Sequence, residues 1–218
     1  MFVRDIMTTN VVNISSSTTV PEAQNIMQVH RIERLPVVDR RKLAGLVTKD
    51  RLLRALPSPA TSFTRQELTY LLSKLQVREI MEKNVVTITP DATVEEAVMT
   101  AQANRVGSLL VLEDDNLVGI VTTNDFFYSL LNPVMGLERG GKRVPGVRLI
   151  IYRCDDTKDI QKVVECISKY NLKIKSMCTV VSPEDRGIAL LIHLDTADAS
   201  QILTELKNLG YSAEMRKL

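Results

Sequence analysis

The sequence predicts an α/β chain of the α+β kind, in which a β-α-β-β-α unit occurs twice and a different, β-α-β-β-α-β unit follows. Two observations predict it. The first is an internal repeat at a constant offset of 74 residues, which carries Val3-Arg4-Asp5-Ile6-Met7 onto Val77-Arg78-Glu79-Ile80-Met81. The same offset takes Leu35-Pro36-Val37-Val38-Asp39 onto Leu109-Leu110-Val111-Leu112-Glu113, and Gly45-Leu46-Val47-Thr48 onto Gly119-Ile120-Val121-Thr122. The second is a change of pattern at Val147, beyond a linker marked by Asn132-Pro133 and Gly136 to Gly141. At 218 residues the chain has material for more than one core. Its divisions read as a first copy at 1–56, a linker with a helix at 57–76, a second copy at 77–135, a linker at 136–146 and a C-terminal domain at 147–218.

In the first copy Val11 to Ile14 reads as a short strand, and Thr19-Val20-Pro21-Glu22 as a capping box with proline in the first turn of a helix running to about Arg31. Arg34 to Val38 and Leu43 to Val47 follow as strands, and Lys49 to Leu56 as a helix stopped by Pro57 and Pro59. A capping box at Thr64 to Glu67 opens a linker helix to about Leu75. Its Leu68, Leu71, Leu72 and Leu75 form one apolar face, suited to its own repeat pair or to the same helix of a second subunit. The second copy repeats the plan: a strand near Val85 to Ile88, a capping box at Thr93 to Glu96, a helix to about Asn104, and strands Ser108 to Leu112 and Leu117 to Val121.

In the C-terminal domain Val147 to Cys154 is a strand, and Asp156-Thr157 caps a helix with Ile160, Val163, Val164 and Ile167 on one face. Leu172 to Val181 and Ile188 to Leu194 form a hairpin. Asp198 to Leu209 is a helix ending at Gly210, before a last strand at Tyr211 to Met215.

The stretch Gly119 to Phe127 is a strand-to-helix turn, with Thr122 as a helix N-cap. Such a turn offers unpaired backbone N–H groups to an anion, and Asp125, about one turn on, offers a carboxylate to a vicinal diol. Phosphate donors beside a ribose acceptor suit a nucleotide. The same residues also suit a plain helix start, Thr122 capping and Asp125 supporting the helix dipole.

Each copy resembles a CBS domain, the regulatory module named after cystathionine β-synthase. The marks are Asp5-Ile6-Met7 and Glu79-Ile80-Met81, Leu35-Pro36-Val37-Val38-Asp39, and Gly119-Ile120-Val121-Thr122-Thr123-Asn124-Asp125. The resemblance implies a tandem CBS pair with two clefts, which in that family commonly hold AMP, ADP, ATP or S-adenosylmethionine. On that reading Thr122 and Asp125 anchor an adenosyl ligand, backbone at Val86 and Thr87 reads the adenine edge, and Val86, Leu109 and Leu110 pack the ring. Arg34 stands where the γ subunit of AMP-activated protein kinase places basic residues that meet nucleotide phosphates; a solvated arginine is the other reading. The first copy departs from the pattern. Thr48-Lys49-Asp50-Arg51 sets its carboxylate two residues after the threonine and turns it away from the ribose direction, with Arg51 at the aspartate position. Val12, Asn13, Pro36, Thr48 and Asp50 would line that second cleft, either empty or filled in another manner.

The C-terminal order is ferredoxin-like and resembles an ACT domain, and the whole chain resembles the CBS-ACT proteins of the acetoin-utilisation B type. Amino-acid-binding ACT domains usually carry a glycine in the first strand-to-helix turn. Here that turn is Cys154-Asp155-Asp156-Thr157, so Asp155 and Asp156 are the candidates for an amino group; otherwise the domain only pairs with its twin.

Composition narrows the function. A net charge of +2 from 28 basic and 26 acidic residues, interspersed, does not suggest a nucleic-acid surface. No apolar run reaches the roughly 20 residues of a membrane span, the N-terminus has no signal-peptide pattern, and a cytoplasmic location is expected. Cys154, Cys166 and Cys178 lack metal or disulfide spacing, and His30 and His193 stand far apart. No catalytic or metal constellation emerges. The expectation is a non-catalytic sensor of an adenine nucleotide or S-adenosylmethionine, without covalent cofactor, acting through a homodimer or higher homo-oligomer on an enzyme or transporter. The competing class is a ligand-independent module for oligomerisation or protein interaction.

Overall fold

The computed structural model describes residues 1–55, 74–137, 145–181 and 187–217. The linker helix expected from Thr64 falls, but for its last residues, outside these, as does the turn at 182–186. The chain divides into two compact units, Met1–Asp125 and Phe126–Leu218.

In the first unit both copies have the same local anatomy. Copy one contains a helix Val20–His30, strands β1 (Arg34–Asp39) and β2 (Lys42–Thr48), and a helix Lys49–Ala55. Copy two contains β3 (Thr87–Ile88), a helix Val94–Asn104, β4 (Ser108–Glu113), β5 (Asn116–Thr122) and a helical turn Thr123–Phe126. The capping boxes form as expected: Thr19 and Thr93 accept from the N–H of Glu22 and Glu96, whose carboxylates accept in return. Both helices end on an arginine in the left-handed region, Arg31 and Arg105, each at φ 53°. Strands β1 and β2 pair antiparallel, β4 and β5 likewise, with the register shift at equivalent points.

The segment before the first long helix of each copy differs between them. Val11 to Ile14 is not a strand; only Ile14 bridges to Val37, through Ile14 N–H to Pro36 O at 3.0 Å and Val38 N–H to Ile14 O at 2.8 Å. Extending that parallel ladder towards Val12 requires an N–H from residue 36, and proline has none. At the equivalent place Leu110 donates to Val86 O at 3.2 Å, and there the ladder becomes β3.

The copies interlock by exchanging their leading segments. Val3 N–H donates to Ala92 O and Val77 N–H to Thr18 O, both at 2.9 Å. Arg4 to Pro90 and Arg78 to Ser16, Val94 to Met1 and Val20 to Leu75 are likewise matched pairs under the repeat offset. Further along, Thr8 and Ile120 exchange two bonds at 2.9 and 3.0 Å, and Leu46 and Glu82 exchange two at 2.9 and 2.8 Å. Val77 thereby enters the core of copy one, fully buried with Val20, Leu35, Val37, Val47 and Leu52. Leu46, Leu110 and Ile120 close the seam between the copies. The glycines that open β2 and β5 to these crossings leave no room for a side chain. A Cβ on Gly45 would lie 2.6 Å from Glu82 O, and one on Gly119 2.5 Å from Met7 Sδ.

In the second unit a π-helical turn Phe127–Leu131 precedes β6 (Val147–Tyr152), a helix Thr157–Ser168, β7 (Ile174–Val181), β8 (Ile188–Leu194), a helix Ser200–Asn208 and β9 (Ala213–Lys217). The sheet order is β7-β8-β6-β9, antiparallel throughout. Strand β6 stops earlier than the sequence suggests because Arg153 turns to φ 54°. The last helix starts later because Asp198 Oδ1 accepts from Ser200 N–H and Oγ in a local turn. Leu149, Ile151, Leu190, Ile192 and Leu194 meet Val163, Ile167, Ile202 and Leu206 of the helices in one core.

Register also sets Arg148 and Ser176 across from His193. Arg148 Nη2 and Ser176 Oγ both donate to Val134 O, at 3.0 and 3.3 Å. His193 is buried with Nε2 unpartnered among the described residues, and a Cβ on Gly146 would lie 2.5 Å from that nitrogen. Burial, then the charges of Arg148 and Lys175, holds its imidazole below the ordinary histidine range; Asp195 opposes them.

Two outcomes follow from this architecture. Gly45→Ala should lower stability by about 1–3 kcal/mol, and more than Gly119→Ala, because the first meets backbone and the second the end of a flexible methionine; urea unfolding of both measures it. A histidine held neutral in the fold contributes stability that is present above its unfolded pKa and lost as pH falls towards the lower folded value. The midpoint of thermal unfolding should therefore drop as pH falls below about 6.5, the ordinary histidine value, and His193→Gln should flatten that drop.

Candidate functional site

Strand β5 delivers Thr122 to the edge of the seam, and the helical turn after it brings Asp125 back beside it. Asp125 Oδ2 accepts from Thr122 N–H and from Thr122 Oγ1, both at 2.7 Å. The hydroxyl is thus a donor to the carboxylate rather than the accepting N-cap that the sequence suggests. Asp125 is buried, and Oδ1 has no donor among the described residues. Two of the backbone donors at this turn are engaged: Thr122 N–H by Asp125, and Thr123 N–H by Gly107 O at 3.3 Å. The positive groups on hand are side chains, Arg31 and Arg34.

These residues line one cavity of about 530 Å³, within the usual size of a small-molecule site. One wall is Ile120, Thr122, Asn124 and Asp125 of copy two. The other is copy one: Thr8, Asn10, Val11 and Val12, then Arg31, Ile32, Glu33 and Arg34. Gly107 makes room for the Arg34 guanidinium, since a Cβ there would lie 2.9 Å from Nη2. Glu33 is drawn to Lys49 at 3.5 Å, and Arg34 has no ion-pair partner among the described residues. The chamber holds an acceptor at one place, arginines at another and apolar surface between them. That set can bind a molecule with a diol, a flat apolar part and an anionic group; it offers no nucleophile with a base.

Of the residues named from sequence, Thr122, Asp125, Arg34 and Val12 meet in this cavity. Leu109 and Leu110 do not: as the middle of β4, covered on both sides, they are fully buried in core. Val86 gives its carbonyl to Leu110, and Thr87 is exposed in β3. The apolar wall facing Asp125 is instead Val11 and Val12, the offset equivalents of Val85 and Val86. Asn13 is exposed with Nδ2 on Val11 O, and Pro36 is buried in β1. Asn10, Arg31, Ile32 and Asn124 were not singled out from sequence; the repeat offset combined with the exchange of leading segments is the signal that finds them.

Thr48 and Asp50 line a different cavity of about 550 Å³, with Arg51, Arg54 and Ile80. Asp50 is exposed and paired with Arg54 at 3.0 Å. In the second unit Asp156 caps its helix, accepting from Lys158 N–H at 2.7 Å, and Asp155 is exposed. Burial pushes the Cys154 and Cys166 thiols up to about 11, so both stay protonated near neutral pH. Among the described residues no group of three or more metal-ligating side chains occurs, and no helix is long and apolar enough to cross a membrane.

The family model described as CBS domain matches residues 3–58 and 77–132, the two copies themselves. The chain belongs to the CBS-domain family. Among curated relatives, this chain is 28% identical over 160 residues to the inosine-5'-monophosphate dehydrogenase of Korarchaeum cryptofilum, a match covering 72% of this chain and 30% of the enzyme. The chain thus spans under a third of the length of that dehydrogenase. It is 32% identical over 124 residues to the CBS domain-containing protein YhcV of Bacillus subtilis, covering 56% of this chain and 81% of that one. Among solved structures, AcuB of Vibrio cholerae, named for acetoin utilization, shares 30% identity at a TM-score of 0.51, covering 61% of this chain and 91% of the other.

Proposed function

We propose that this chain is a non-catalytic regulatory protein that takes an adenosyl ligand in the cleft between its CBS copies and passes the bound state on through its C-terminal unit. The observation that carries the reading is Asp125. Its carboxylate is fixed by Thr122 on one oxygen and unoccupied on the other, in a cavity whose far wall belongs to the opposite copy. The free oxygen suits a ribose diol, Val11 and Val12 suit an adenine face, and Arg31 and Arg34 suit phosphates or the carboxylate of S-adenosylmethionine. AMP, ADP, ATP and S-adenosylmethionine are the ligands of that class. A ligand contacting both copies favours one arrangement of the pair by its differential affinity.

The C-terminal unit is read as an ACT domain of ferredoxin-like order, supported by its β-α-β-β-α-β succession and antiparallel sheet. Its edge strand β7 exposes Ile174, Met177, Val180 and Val181, which supports pairing with a second copy of the chain. Asp155 remains the candidate for an amino group, Asp156 being committed to its cap. The place of action is a homo-oligomer or a regulated enzyme or transporter in the cytoplasm. Likeness to AcuB does not by itself assign a pathway.

A second reading, a ligand-independent assembly module, is favoured by the other cleft, where Arg51 replaces the aspartate and is tied to Glu82. Isothermal titration with AMP, ATP and S-adenosylmethionine decides between them. At least one should bind, and Asp125→Ala should weaken it by about tenfold to a hundredfold, the value of a hydrogen bond to a charged group. Unchanged affinity in that variant, or no heat from any of the three, would favour the assembly module. Arg34→Ala should weaken ATP more than S-adenosylmethionine.

A further inference from the structure

We infer that Arg51 and Glu82 occupy the first cleft in place of a ligand, so that the pair takes one adenosyl molecule per chain rather than two. This rests on the adenosyl reading of the Asp125 cleft.

The two clefts are related by the repeat, so each residue of one has a counterpart 74 positions away in the other. Arg51 is the counterpart of Asp125, and Glu82 that of Thr8. In the Asp125 cleft Thr8 is short, and the space before the carboxylate is open. In the first cleft Thr48, Asp50 and Arg51 line a cavity of about 550 Å³, and the Arg51 guanidinium is drawn across to the leading segment of copy two: Nη2 pairs with the Glu82 carboxylate, and Nη1 donates to Ile80 O at 3.2 Å. Glu82 is itself held, its other oxygen accepting from Asn84 N–H at 3.2 Å. Both anchors belong to the leading segment of copy two, whose backbone is fixed to β2 by the Leu46–Glu82 pair.

The exchange also changes the threonine. Thr122 donates its hydroxyl to Asp125, whereas Thr48 Oγ1 accepts the N–H of Arg51 at 3.3 Å. The same motif position serves as a carboxylate clamp in one copy and as a plain helix cap in the other. The anion side differs as well: Arg34 is answered by Ser108, which is buried. The first cleft therefore lacks the diol acceptor and the counterpart of Arg34, keeps Arg105 as the counterpart of Arg31, and carries an internal salt bridge at the position of the missing acceptor.

The test is stoichiometry. The double variant Arg51→Asp with Glu82→Thr copies the Asp125 and Thr8 pair into the first cleft and avoids setting two carboxylates together. In isothermal titration with AMP and S-adenosylmethionine the wild type should take one ligand per chain, the double variant two, and the double variant carrying Asp125→Ala one. Two ligands per wild-type chain would overturn the inference. So would a double variant that still takes one, while loss of wild-type binding in Asp125→Ala alone would leave the adenosyl reading standing. Binding by neither protein would end both, and binding by the double variant alone would end the reading of the Asp125 cleft but keep this one. Should circular dichroism show the double variant unfolded, Arg51→Asn replaces it, with a second, at least tenfold weaker binding event expected and its absence counting against the proposal.

Discussion

The CBS pair depends on main-chain hydrogen bonds that hand the leading segment of each copy to the other. Because Val3 and Arg4 bond to the loop before the second helix, and Val77 and Arg78 to the loop before the first, neither copy completes its own fold. Val77 in the core of copy one is the packing side of the same exchange. The two-bond crossings at Thr8–Ile120 and Leu46–Glu82 then fix how closely the strands approach, and Gly45 and Gly119 are what permit that approach. A side chain at Gly45 would meet the backbone of the other copy, and one at Gly119 the Met7 side chain first.

On this symmetric frame the copies differ at a few side chains, and each difference has a local physical result. Pro36 against Leu110 decides whether a ladder bond exists, and so whether the segment before the helix is a strand. Glu33 against Gly107 decides whether a guanidinium can lie over the turn. Arg51 against Asp125 decides whether the following threonine-capped turn presents an acceptor or a donor. The repeat relates two equivalent positions, and substitutions at these side chains make them unequal.

What was legible in the sequence was whatever is local. The capping boxes at Thr19 and Thr93, the paired strands and the positions of Thr122 and Asp125 follow from spacing within a few residues, and the helices begin where the caps say. The wall opposite Asp125 was not legible in the same way. Val86, Leu109 and Leu110 are near Asp125 in chain order, yet the exchange of leading segments brings Val11 and Val12 there instead, from more than a hundred residues earlier. Nor does spacing reveal the direction of a hydroxyl's hydrogen bond, which at Thr122 depends on an acceptor three residues on. Both become derivable once the repeat is treated as a rotation that swaps partners rather than as two adjacent modules.

Magnitudes settle what the Arg51–Glu82 pair does. Its side chains are 42% and 41% exposed, and exposed ion pairs contribute about 0–1 kcal/mol, so it adds little to holding the copies together. The reciprocal backbone bonds already do that. The consequence of the pair lies in the volume and charge it places in the cleft: a cation where a diol would need an acceptor, and a side chain where a ring would need room. On the proposed reading, in which Arg51 and Glu82 bridge the first cleft beside the cavity at Thr48 and Asp50, a ligand acts on the pair from the Asp125 side. The shift it can produce is then set by a single difference in affinity between arrangements, not by two acting together.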